Sequence, residues 1–194
     1  MKGSFRVLVL LLTTVMVTSL AHAHVGAGET SGLLHGMGHP LSGLDHICAM
    51  VAVGLWAAQM GGRSIWAVPL TFITVMALGG ILGTIGINLP FVETGIVISV
   101  LTLGVLIAAS VRLSLVASVV IVGLFAIFHG HAHGSEMPET ASGLAYAAGF
   151  IIATAFLYSC GIGLGIAIQR LAGPKIARFA GTAIVLCAGY LLLS

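Results

Sequence analysis

The chain has 194 residues, 59% of them hydrophobic and 6% charged, with a formal net charge of +2. A water-soluble domain carries about a quarter charged residues, so this composition excludes an ordinary soluble surface, and so small a net charge gives no footing for nucleic acid. What remains is an all-α integral membrane protein, a polytopic bundle of apolar helices whose 27 glycines suit close packing between transmembrane segments.

Residues 1–23 begin with Lys2 and Arg6, continue as an apolar run over 7–20, and end in Ala21-His22-Ala23. A basic start, an apolar stretch of that length and an A-x-A site describe a cleavable secretory signal peptide. A retained first membrane helix is the alternative. Cleavage after Ala23 would expose His24 as the first residue, where amine and imidazole can chelate a metal together.

The remainder, 24–194, divides into six spans, each needing about 20 residues. Thr30-Ser31 can cap a short helix that carries His35 toward His39. Pro40 disfavours helix at His39 and suits a first helical position. The first span is therefore predicted over 40–60, stopped by Gly61-Gly62-Arg63. The second covers 64–88, with a small-residue packing surface at Gly79, Gly80 and Gly83. Pro90 opens the third, 90–110, with Glu93 in its first turn. The fourth covers 113–131 and is followed by a polar segment, 132–140. The fifth, 141–169, is long enough to tilt, and the sixth runs from the turn at Gly173-Pro174 to Ser194.

Charge placement sets the orientation. With the mature N-terminus outside, Arg63, Arg112, Arg170, Lys175 and Arg178 all fall inside, while Glu93, Glu136 and Glu139 fall outside. This obeys the positive-inside rule. The start of the first span and the end of the fourth then share the external half of the membrane, so two histidine clusters become potential neighbours.

Those clusters are His35, His39 and His46 with Asp45, and His129, His131 and His133 with Glu136. Ionisable groups within membrane spans are costly and usually functional. Imidazole with carboxylate suits zinc, copper, iron and nickel, whereas calcium and magnesium prefer oxygen alone. A single histidine is ordinarily a hydrogen-bonded packing residue; six beside two carboxylates are not well described that way. On a straight helix His39 and His46 lie about 10 Å apart along the axis. Either the chain bends at Pro40 to bring them together, or they act as successive stations. His129 and His133, one turn apart, can share an ion, and Gly134 offers a place for the helix to open toward Glu136. Asp45 is either a ligand, an acceptor orienting a ligand imidazole, or a plain helix-start charge. His131 lies off the shared face and reads as a solvent-side collector. Glu93 is a secondary candidate whose plainer reading is a solvated, dipole-favoured carboxylate. Met37, Met50, Met137 and Cys48 are softer candidates, more commonly packing. The three cysteines form no CxxC pair, so neither a thiolate zinc site nor a disulfide framework is indicated.

At residues 39–57 and 128–136 the chain resembles the HupE/UreJ family of nickel permeases. The family pattern of a histidine, five residues and then Asp-His is matched by His39 with Asp45-His46. Its Phe-His-Gly-x-Ala-His-Gly-x-Glu pattern is matched by Phe128, His129, Gly130, Ala132, His133, Gly134 and Glu136. The resemblance implies uptake of Ni²⁺, or Co²⁺, across the bacterial inner membrane for hydrogenase or urease maturation. The selective site would be His39, Asp45, His46, His129, His133 and Glu136, with His24, His35 and His131 as outer collectors. The metal is cargo, so no permanently bound cofactor is expected. Expected partners are the ion and membrane lipid, with homo-oligomerisation open. Nothing resembles a nucleotide-binding loop. The rival reading is a membrane-embedded zinc hydrolase, in which a histidine-held Zn²⁺ keeps an open position and a carboxylate acts as base.

Overall fold

A computed structural model describes residues 32–137, 143–171 and 174–193 of the chain. The expected signal peptide and His24 lie outside these residues. The described residues form seven helices and no strand: α1 Gly32–Ser42, α2 Leu44–Met60, α3 Ser64–Thr84, α4 Val92–Ala108, α5 Leu115–Ser135, α6 Gly143–Leu171 and α7 Pro174–Leu193. Helices α3, α5, α6 and α7 are each long and apolar enough to cross a membrane. α1 and α2 together make a fifth candidate span, bent by 82°, and α4 is apolar but shorter.

The first span differs from expectation. It does not start at Pro40, which sits inside α1 with His39 helical before it. A proline inside a helix frees a carbonyl one turn back, a loss that membrane helices tolerate when other groups compensate. The Ser42 hydroxyl donates to the His39 carbonyl at 2.7 Å and closes the last turn of α1. The break falls instead at Gly43, which is extended (φ −92°, ψ 122°), and its carbonyl accepts from Ile47 N at 3.0 Å to begin α2.

Other boundaries moved for local reasons. Phe91 takes a left-handed conformation (φ 60°), so α4 starts at Val92 and not at Pro90. Ser114 caps α5, accepting from Ala117 N at 3.3 Å. α5 then continues through the second histidine motif to Ser135, where a stop at His131 was expected. That extra turn keeps His129 and His133 in helical register.

α2 is the centre of the bundle. Its residues from Cys48 to Gln59 are buried apart from Val51, as expected of a helix that is apolar all round. α6, α4 and α3 pack around it, α1 lies mainly on α6, α7 mainly on α4, and α3 on α5. Large apolar side chains such as Leu70, Leu78, Leu124, Phe156 and Leu186 point outward. In lipid such exposure is unremarkable, and the chain is a membrane protein.

Hydrocarbon is as apolar as leucine, so helix association here depends on close packing. The α3–α5 pair shows how. Gly130 lies against the Met76 carbonyl and Gly80 N, Gly134 against the Gly80 backbone, Gly79 against Ile127 and Gly83 against the His131 carbonyl. A side chain at these points would strike backbone. Gly134 is therefore a packing residue within an unbroken helix, and not the hinge its position suggested. The result is a rigid mount for the histidine-bearing end of α5.

Candidate metal site

Four helix ends build the site. α1 and α2 meet at the 82° bend, α5 arrives with its last two turns, and the first turns of α6 form a wall. The bend places His39 and His46 on either side of His133. His39 Nε2 is 2.7 Å from His133 Nδ1, and His133 Nε2 is 2.7 Å from His46 Nδ1. His39 and His46 are thus joined through an imidazole from a distant helix, not folded onto one another. Glu136 Oε2 stands 3.1 Å from His39 Nε2 and 4.0 Å from His133 Nδ1.

Two ligand groups emerge, each with its donor atoms within 4.8 Å of one another: His39, His133 and Glu136, and His46, His129 and His133. His133 belongs to both. Side-chain exposure falls from 57% at Glu136 through 28% at His39 to 14% at His133, and His46 and His129 are fully buried. The first group is wet and carries a carboxylate. The second is dry and made of imidazole alone.

A neighbour absent from the expected set orients the inner group. Ser99, on α4, donates its single hydroxyl proton to the Ile96 carbonyl at 2.6 Å. It must therefore accept from His129 Nε2 at 2.8 Å. His129 is held as the Nε2–H tautomer, and its Nδ1 lone pair has no protein partner. His46 Nε2 is likewise buried without one. The two N···N contacts at His133 each need one protonated and one bare nitrogen, and those bare lone pairs are what a cation would claim.

Aromatic rings close the site. Phe150 of α6 lies 4.7 Å from His133 and 5.2 Å from His46, centroid to centroid. Phe72 of α3 lies 5.4 Å from His129, and Tyr146 6.0 Å from His39. A cavity of about 400 Å³ between α3, α5 and α6 also reaches His133. Its lining is dominated by side chains such as Met76, Ile81 and Leu144, which makes it a poor conduit for a hydrated cation. The polar approach is past Glu136 and His39.

The other candidates lie outside both ligand groups. Asp45 occupies the first turn of α2, and neither ligand group includes it. Glu93 is exposed in the first turn of α4 and also outside both groups. His35 is exposed on α1, one turn before His39. His131 is not a solvent-side collector: it is 8% exposed, and its Nε2 donates to the Ile87 carbonyl at 2.6 Å, tying α5 to the α3–α4 connection. Met50 is core, and Met37 and Met137 are half-buried. Cys48 pairs with the distant Cys187, their sulfurs 2.7 Å apart as free thiols. Sequence spacing could not have indicated that contact. Ser99, Phe72 and Phe150 left no signal either, since a serine or phenylalanine inside an apolar run looks like packing.

Comparison with known proteins gives the family of the chain. The family model described as HupE / UreJ protein matches residues 11–192. Protein HupE of Rhizobium leguminosarum bv. viciae is 47% identical over 182 residues, covering 94% of this chain and 95% of that protein. No solved structure matches the chain. On both counts the chain belongs to the HupE/UreJ family, a family of metal transporters and not of enzymes.

Proposed function

We infer that the protein is an inner-membrane uptake permease for Ni²⁺, or Co²⁺. It collects the ion at the external face and passes it to the cytoplasm for hydrogenase or urease maturation. The observation that carries this reading is the pair of ligand groups sharing His133, graded from the half-exposed Glu136 to the fully buried His46 and His129. Transport requires ligands strong enough to strip water from an ion and weak enough to release it. A carboxylate and imidazole group captures; an all-imidazole group, suited to nickel, completes dehydration.

Six spans after a cleaved signal peptide remain the proposed topology, with α1 and α2 as one broken span and α4 as the shortest. Support for the orientation comes from the connections. Arg63, Arg112, Arg170, Lys175 and Arg178 all lie at helix ends opposite the histidines, as expected if that end is cytoplasmic. Asp45 and Glu93, near the site but outside both groups, supply negative charge to the approach. The zinc-hydrolase alternative lapses with family membership.

The test is uptake of ⁶³Ni²⁺ by proteoliposomes containing this protein alone, competed with Co²⁺, Zn²⁺ and Cu²⁺. Accumulation suppressed by Co²⁺ more strongly than by Zn²⁺ supports the reading. Absence of accumulation against protein-free vesicles would refute it.

A further inference from the structure

Hydroxyls on membrane helices ordinarily satisfy themselves by bonding to the carbonyl one turn back. Thr74 bonds Leu70 in this way, Thr84 bonds Gly80, Ser159 bonds Ala155 and Thr182 bonds Arg178. Thr154 of α6 does not. It is fully buried, and its Oγ1 has no partner. One turn further along the same helix, the buried Tyr158 also holds its hydroxyl without a partner. Leaving a buried hydroxyl unpaired is costly, and two in consecutive turns on the one helix face call for a ligand.

Their depth is fixed from two helices. On α6 they follow Phe150, whose ring touches His46 and His133, and Tyr158 lies about 12 Å beyond it at 1.5 Å per residue. On α2, Gly54 lies against the Tyr158 carbonyl, again about 12 Å past His46 on the same rise. Phe72 spans the interval, its ring 5.4 Å from His129 and 5.8 Å from Tyr158. By backbone position, both residues therefore lie between the imidazole-bearing turns and the end of the bundle that carries the arginines.

We propose that Thr154 Oγ1 and Tyr158 OH form a second, weaker station that receives the divalent cation from the imidazole site. The proposal rests on the transport reading above. Neutral oxygen donors replace water in the ion's shell without adding charge that would trap it. Such a station lets the ion leave His46 and His129 in steps, with no single transfer from full imidazole coordination to bulk water.

The experiment compares Thr154→Val, Thr154→Ser and Tyr158→Phe in two measurements: initial ⁶³Ni²⁺ uptake by proteoliposomes, and equilibrium Ni²⁺ binding to the purified full chain. Thr154→Val and Tyr158→Phe should each slow uptake by about tenfold, a barrier change the rate reads directly, with the tight Ni²⁺ binding of the imidazole site unchanged. Thr154→Ser, which keeps the oxygen, should transport like the parent. Parental uptake in the Val and Phe variants combined would overturn the proposal. So would loss of Ni²⁺ binding together with uptake, which would put these hydroxyls in the imidazole site itself. A failing Thr154→Ser beside a working Thr154→Val would show that the methyl group matters, and would also overturn it. If the parent protein accumulates no nickel, the transport reading falls and the station with it.

Discussion

His133 Nε2 lies 2.7 Å from His46 Nδ1, and the other nitrogen of the same ring lies 2.7 Å from His39 Nε2. One side chain thus belongs to both ligand groups. Its removal should differ in kind from removal of a residue that serves one. His133→Ala is expected to abolish metal accumulation with membrane insertion intact. Glu136→Gln leaves the inner group whole, so its main effect should be a raised KM with a smaller loss of maximal rate, the pattern of weakened capture. Uptake rate against Ni²⁺ concentration separates the two. Equal losses in both variants would contradict this division of labour.

Ser99 holds the tautomer of His129 without being a ligand. Partners of this kind typically contribute about 10- to 100-fold in metal affinity, so Ser99→Ala should weaken Ni²⁺ binding by about that factor. Ser99→Thr retains the hydroxyl and should preserve most of it. Equilibrium dialysis of the purified protein provides the measurement.

How far the site could be read from residue order is visible in these two examples. His39, His46, His129, His133 and Glu136 stand out because ionisable groups are rare in a chain with 6% charged residues. Five basic residues give an expected orientation, and with it the meeting of the clusters is open to inference. The bend was misplaced because proline is the stronger local signal than glycine. In the folded chain Ser42 satisfies the end of α1 beyond Pro40, and Gly43 takes the extended conformation. His131 was misjudged because burial in the α3–α5 contact is a tertiary fact. Ser99 and the Cys48–Cys187 contact have no local pattern at all, since each depends on which helix faces which.

The pH dependence follows from imidazole chemistry. A protonated ring has no lone pair to offer, so metal binding requires the neutral form. Uptake should therefore decline as external pH is lowered, with membrane potential held constant. Competing protons raise KM, so raising Ni²⁺ should partly restore the rate at low pH. A KM for Ni²⁺ that stays constant as external pH is lowered would show that protons and the ion do not compete for these rings.

The mount of the site is testable through stability. At Gly130 an added Cβ would run into the Met76 carbonyl, so Gly130→Ala should force α3 and α5 apart. Overpacking of this sort costs about 1–3 kcal/mol, and uptake should fall with it because His129 and His133 move. At Gly163, on α6, there is open space around an added Cβ. Replacing glycine by alanine within a helix there should be neutral or favourable by up to about 1 kcal/mol. Thermal unfolding in detergent compares the two. A Gly130→Ala variant as stable as Gly163→Ala would show that the α3–α5 pair is less tightly packed than described.

The contact between Cys48 of α2 and Cys187 of α7 tests the opposite side of the bundle, where the last helix approaches the first span. Their sulfurs are 2.7 Å apart as free thiols, while Cys160 is exposed on α6. A Cu²⁺–phenanthroline oxidant should take two electrons and two protons from the pair and join them in an intramolecular disulfide. Maleimide labelling after denaturation should then find one reactive thiol among the three cysteines, and reduction should restore all three. Cys160→Ala should leave the cross-link intact, whereas Cys48→Ala or Cys187→Ala should abolish it. Because lipid gives helices no hydrophobic reason to associate, the position of α7 depends on contacts such as Gly181 against Ala108 and Gly104 of α4. Failure to cross-link would mean that α7 follows α4 without reaching α2, and that the buried wall behind Cys48 is supplied by something else.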